Sequence, residues 1–214
     1  MAECILVQGN SGIGKSYSML NLDKDDFILL QSRNKRLPFK HNFEKWDKDK
    51  KSGSIIQVPT MDMLFPMVKG LVQHGKRIFV LDDFQYFFAK DVYARADEKN
   101  YDKWTELAKM FWDTITRIQD EVDEDVRVYI LTHTQDDDGK VSMKTAGKMI
   151  TNTITPEGIF TIVIGAEKDS DGNYFTSVNN GRNTLKAPVG MFNDREPNDL
   201  KVIDDKICSF YNIK

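Results

Sequence analysis

Apolar residues fall along the chain in two alternating rhythms. Short runs bounded by turn formers recur at CILVQ near the start, FILLQ at 27–31, SIIQV at 54–58, RIFVL at 77–81, VRVYIL at 126–131 and IFTIVIGA at 159–166. Each run is apolar on both parities, the pattern of strands covered on both faces in a parallel sheet. Between them the spacing becomes helical. Met63, Leu64, Met67, Val68, Leu71 and Val72 repeat behind a cap at Thr60 or Asp62, with Gly75 closing the segment. From residue 102, the stripe of Trp104, Leu107, Ala108, Phe111, Trp112, Ile115, Ile118 and Val122 predicts a long helix packed on the sheet. Leu200, Ile203, Ile207 and Phe210 predict a last helix at about 198–212, opened by Pro197. Strands alternating with helices predict an α/β fold of three layers.

The chain has 214 residues, of which 40% are hydrophobic, enough for one well-buried core. The six prolines are scattered and no repeat or linker composition is visible, so a single domain over 1–214 is expected. A formal charge of −3 gives no overall basic footprint, so a nucleic-acid contact would need a local patch or an assembled surface. Cys4 and Cys208 lack metal-ligand spacing and read as reduced thiols. The opening MAEC has no basic leader region, and no apolar run approaches the roughly 18 residues of a membrane span, which predicts a cytoplasmic chain with no membrane partner.

Behind the first strand stands GNSGIGKS, a match to GxxxxGK[ST] with Gly9, Gly14, Lys15 and Ser16 at the fixed positions. Successive backbone N–H groups must converge on a phosphate there, glycines permit the positive φ this requires, and a following helix would add favourable potential. Gly9, Asn10, Ser11, Gly12, Ile13, Gly14, Lys15, Ser16 and Tyr17 are therefore the expected nucleotide-binding residues. Lys15 would reach the β- and γ-phosphates of ATP, and the Ser16 hydroxyl would ligate Mg2+. The run RIFVLDDFQYFF ends an apolar strand in Asp82 and Asp83. Asp82 is expected beside Ser16 on the metal, at the end of a neighbouring strand. Asp83 either orients the attacking water or caps the segment that follows. The strand VRVYIL ends in THTQ, which makes Thr132 and His133 candidates for sensing the γ-phosphate.

These motifs, together with KRLPF at 35–39, LTHT, KTAGKMITNTITPEGIFTIV and NTLKAPVGMF, resemble the small phage-encoded ATPases with a RecA-type core that are associated with single-strand annealing and homologous recombination. The resemblance runs from the glycine-rich loop to Phe192. It implies a RecA-like P-loop NTPase fold, a mostly parallel sheet flanked by helices in three layers. It further implies ATP with Mg2+, self-association into a ring or filament, single-stranded DNA as partner and a single-strand DNA-binding protein as a further one. On that pattern residues 134–152 form a DNA-facing loop in which Lys140, Lys144 and Lys148 meet phosphates. A neighbouring subunit completes each ATP site with a cation, here Lys186 or Arg182. One departure stands out: Gln31 occupies the strand end where such enzymes carry a catalytic glutamate, and an amide cannot take the water's proton. Either Asp83 takes over or hydrolysis is slow and ATP acts as an assembly switch.

Residues 33–51 hold eight Lys or Arg against three acids, interleaved with Phe39, Phe43 and Trp46. This basic, hairpin-like insertion at about 32–53 makes Lys40 and Trp46 candidates for single-strand contact, or else its rings anchor it to the core and its charges face water. A small P-loop phosphotransferase is the other enzymatic reading, but such enzymes clamp two phosphorylated substrates with several arginines, and this chain has no arginine-rich lid.

Overall fold

The computed structural model describes residues 1–98, 102–145 and 155–213. Six parallel strands form the body of one sheet: β1 (Glu3–Gln8), β2 (Phe27–Gln31), β3 (Ile55–Gln57), β4 (Ile78–Asp82), β5 (Arg127–Thr132) and β8 (Ile162–Asp169). Two antiparallel strands, β9 (Gly172–Thr176) and β10 (Glu196–Pro197), extend it beyond β8, giving the order β10-β9-β8-β1-β5-β4-β2-β3. A separate hairpin pairs β6 (Thr134–Asp137) with β7 (Lys140–Met143).

The double parity of the strands has a direct cause. Cys4, Leu6, Ile28, Leu30, Phe79, Leu81, Val128 and Ile130 face the helices α1 (Leu64–Val72), α2 (Gln85–Ala94) and α3 (Asp102–Glu121). Their neighbours Ile5, Val7, Phe27, Leu29, Ile78, Val80, Tyr129 and Leu131 face the C-terminal helix α4 (Leu200–Tyr211) and the turn Tyr17–Met19. Both faces are covered, so both parities are apolar. The mostly parallel sheet between two helical layers, with its glycine-rich loop leaving β1, is the three-layer α/β fold expected from the sequence.

Several local expectations change. The glycine-rich loop leads into a single 3-10 turn, Tyr17–Met19, rather than a full helix. Ten residues separate Ser16 from Phe27, and ten helical residues span only about 15 Å, too little to recross a six-residue strand of about 20 Å and still turn at both ends. Met19 and Leu22 cover the sheet there instead. The strand ends at Asp82 as expected, and in FQYFF behind it Phe84, Phe87 and Phe88 stand at helical spacing and bury themselves with Phe111 under α2. The first three residues of IFTIVIGA lie outside β8, and Ile159 ends the 3-10 turn Pro156–Ile159. Thr60 precedes a 3-10 turn, Met61–Met63, that runs into α1, and neither it nor Met63 makes a side-chain cap bond. Pro197 belongs to an edge strand, and Asp199 caps α4 by accepting from the Lys201 amide.

Trp112 (45% exposed) and Phe210 (42%) are not core. Trp112 continues the Trp104–Ala108 row at the rim of the buried stripe of α3, and Phe210 lies in the last turn of α4, where it meets Tyr211 edge-on.

The layer formed by α4 is pinned by charge. Arg127 reaches Asp204 through two hydrogen bonds of 3.0 and 2.9 Å, and the Tyr129 hydroxyl donates to the same carboxylate at 2.8 Å, all buried. Removing one partner of such a pair leaves an uncompensated interior charge. Asp204→Ala is expected to lower stability by about 3–5 kcal/mol, measured by urea denaturation.

Candidate functional site

The parallel strands deliver their C-terminal ends to one edge of the sheet, where the loop after β1 meets those after β2, β4 and β5. Gly9 enters the loop against β8, where any Cβ would lie 2.8 Å from the Ala166 carbonyl oxygen. Gly14 has φ +95°, and a Cβ there would meet the side-chain amides of Asn198 and Asn173 at 2.5 and 2.7 Å. Both positions therefore demand glycine. From Asn10 to Ser16 no backbone N–H donates a hydrogen bond to another described residue. Amides left open along a tight loop form an anion cradle.

Lys15 lies inside this loop. Its side chain is buried and donates to the Gly9 and Asn10 carbonyls at 2.6 and 2.9 Å. Burial lowers its pKa to about 8, against the pull of Asp83 and Asp82. The Ser16 hydroxyl donates to both Asp82 oxygens at 2.9 and 3.1 Å. β4 is not adjacent to β1 as expected; β5 runs between them, so the contact spans two strand spacings. Burial, and then the charge of Asp83, push the Asp82 carboxyl up to about 6. A serine hydroxyl and one carboxylate side by side suit magnesium, which is held by one or two protein oxygens together with phosphates and water. No cluster of three or more His, Cys, Asp or Glu with metal-binding geometry occurs among the described residues.

Asp83 adopts φ +54°, a left-handed conformation that aspartate tolerates better than most residues. It does not cap α2, whose N-cap is Phe84 without a side-chain bond. Its carboxylate instead receives Lys35 at 2.7 Å on one oxygen and lies 3.3 Å from His133 Nε2 on the other. Burial and the charge of Lys15 lower the His133 pKa, leaving a neutral imidazole at pH 7. Lys35 is raised despite partial burial, because Asp83 accepts its hydrogen bond. Gln31, in register with Asp82, turns its amide to donate to the Lys35 carbonyl at 3.2 Å. Thr132 and the His133 amide both donate to Gln85 Oε1.

The remaining predicted residues spread out. Tyr17 is exposed beside Phe39. Lys186 is exposed at the sheet edge, its backbone paired to Val163. Of the segment 134–152, residues 134–143 form a hairpin and 146–152 lie outside the described residues; Lys140 stands opposite Asp137 at its acidic tip, and the Lys144 amide donates to the His133 carbonyl. Lys148 lies outside the described residues. Lys40 is exposed, but the aromatic residues of its segment face opposite sides of the sheet. Phe39 and Phe43 pack with the α4 layer, and Trp46 packs with the α1 layer beside His74 and Lys76. Lys40 and Trp46 thus do not share one stacking platform. Reading the sequence missed Lys35, Gln85, Asn173 and Asn198. Only the helical spacing of Phe84, Phe87 and Phe88 could have placed Gln85 at a helix start beneath the site.

No family model and no curated protein matches the chain. Chains of solved structures do, among them a KaiC-like protein of the hyperthermophilic archaeon Pyrococcus horikoshii, which is 12% identical with a TM-score of 0.45 over 81% of this chain and 77% of that one. The strand order and the loop geometry define the fold independently of that likeness.

Asp82 gives a pH prediction. Its folded pKa of about 6 lies above its ordinary 3.8, so the stability of its protonated form is full below pH 4 and lost as pH rises through 6. In chelator and without nucleotide, Asp82→Asn should stabilise the chain by about 1–3 kcal/mol at pH 8 and hardly at all at pH 4, read from urea midpoints at the two pH values.

Proposed function

We propose that this chain binds ATP with Mg2+ in the loop Gly9–Ser16 and hydrolyses it, as a P-loop ATPase that acts on single-stranded DNA in phage recombination or annealing. The observation that carries the nucleotide reading is the Ser16–Asp82 contact beneath a loop of open amides with Lys15 inside it. Ser16 and Asp82 would hold the metal, which when bound neutralises charge on the β- and γ-phosphates. The open amides would take the phosphate oxygens. Lys15 would exchange its two carbonyl partners for them, a change that favours its protonated form. Asp83 would orient His133, whose neutral imidazole is suited to accept the proton of the attacking water.

The DNA part of the reading is supported by the resemblance in sequence and by the place of Lys144, whose charge bears on His133. Phosphate contacts through Lys144, Lys140 and Lys148, and through Lys40 in the basic segment, would couple the strand to the nucleotide. Self-association into a ring or filament would bring the exposed Lys186, or Arg182, to a neighbour's site. A second reading, ATP as an assembly switch with slow turnover, is favoured by Gln31, whose amide is engaged by the Lys35 carbonyl.

Lys15→Ala should abolish nucleotide binding without unfolding the chain, and phosphate release by the wild type should rise on adding single-stranded DNA. Unchanged turnover in the variant contradicts the loop assignment. Tight ATP binding without phosphate release supports the switch. In mixtures, Lys186→Ala should depress turnover more than in proportion to its fraction; strict proportionality removes the donated cation.

A further inference from the structure

Around the acid pair the chain places a second cation to which neither the loop motif nor the resemblance assigns a role. Lys35 and Lys15 stand against Asp82 and Asp83, two positive charges facing two negative ones at one edge of the sheet. Lys15 is enclosed by the loop. Lys35 differs: its side chain is 57% exposed although its partner Asp83 is only 12% exposed. It lines a cleft of about 320 Å3 together with Gln31, Ser32, Asp82, Asp83 and Tyr86.

We propose that Lys35 is a second cation, beside Lys15, that this chain itself brings to the terminal phosphate of bound ATP, its ammonium passing from Asp83 to a γ-phosphate oxygen. The inference rests on the nucleotide reading above.

Three features support it. Gln31 holds the Lys35 carbonyl, so the half-exposed side chain, paired at its tip with Asp83, can turn without losing that anchor. The charges of Lys35 and Lys15 oppose each other through space, which puts both within electrostatic range of one bound anion. The charge balance also changes on loading. A divalent ion at Ser16 and Asp82 adds positive charge beside the acid pair, and a triphosphate adds more negative charge than that ion cancels. The strongest anion near Lys35 is then the outermost phosphate rather than Asp83. Gln31 has a place in this arrangement as the residue that sets the position of Lys35. A cation supplied within the chain also means that charge at the γ-phosphate does not wait on a neighbouring subunit.

A contact to the γ-phosphate alone separates triphosphate from diphosphate. The test is equilibrium binding of a non-hydrolysable ATP analogue and of ADP, each with Mg2+, to the full chain and to Lys35→Met and Lys35→Arg, with thermal melts to confirm folding. Lys35→Met should weaken the triphosphate analogue by about tenfold or more, the worth of a hydrogen bond to a charged group, and change ADP less than about twofold. Lys35→Arg should restore most of the difference. Equal losses for both nucleotides, or no loss for either, would make Lys35 a structural partner of Asp83 and overturn the proposal. Wild-type chain that binds neither nucleotide would instead remove the nucleotide reading, and this inference with it.

Discussion

The hydrogen bonds from Ser16 to Asp82 are the constraint around which the site is organised. They join a loop on β1 to the end of β4 across the width of β5, about 10 Å of sheet. To make the contact, Asp82 must lie buried beneath the loop, and a buried acid beside a second acid must be balanced. Lys15 supplies balance from inside the loop and Lys35 from the strand-end segment opposite. His133 remains neutral in the remaining space. A site of this kind carries its electrostatic tension in the folded protein and is relieved by a ligand that brings its own charges.

Much of this was legible in the sequence because each signal has a local cause. Alternating apolar parity marked the strands since both faces are covered. The loop was readable because Gly9 and Gly14 are dictated by close approach and by φ. Asp82 was readable from its place at a strand end. What escaped depended on geometry between elements. The segment after the loop looks helical but is too short to recross the sheet, so it becomes one 3-10 turn. FQYFF shows itself as the start of a helix only when its phenylalanines are counted at helical spacing. Lys35 sits in a run of cations with nothing local to distinguish it, and only the fold brings it to Asp83, 48 residues away.

The basic segment shows how composition can mislead about surfaces. Its rings were candidates for a stacking platform, yet Phe43 packs on Phe27 on one side of the sheet while Trp46 lies on the other beside α1. They fasten the excursion between β2 and β3 to two separate cores. Of its cations, Arg33 and Lys35 line the cleft beside Asp83, whereas Lys40 lines an adjoining groove with Arg36 and Lys45.

One polar thread ties distant parts together. Gln8, the last residue of β1, donates to the Thr184 hydroxyl, which donates to Glu157, and the same Glu157 oxygen accepts the Met143 amide at the end of the hairpin. Four separate stretches thus share a single polar chain rooted one residue before the glycine-rich loop. Thr184 stands two residues from Lys186, so displacement of that segment and displacement of the hairpin would pull on the same chain. Movement at either place would reach the root of the glycine-rich loop through the same few hydrogen bonds.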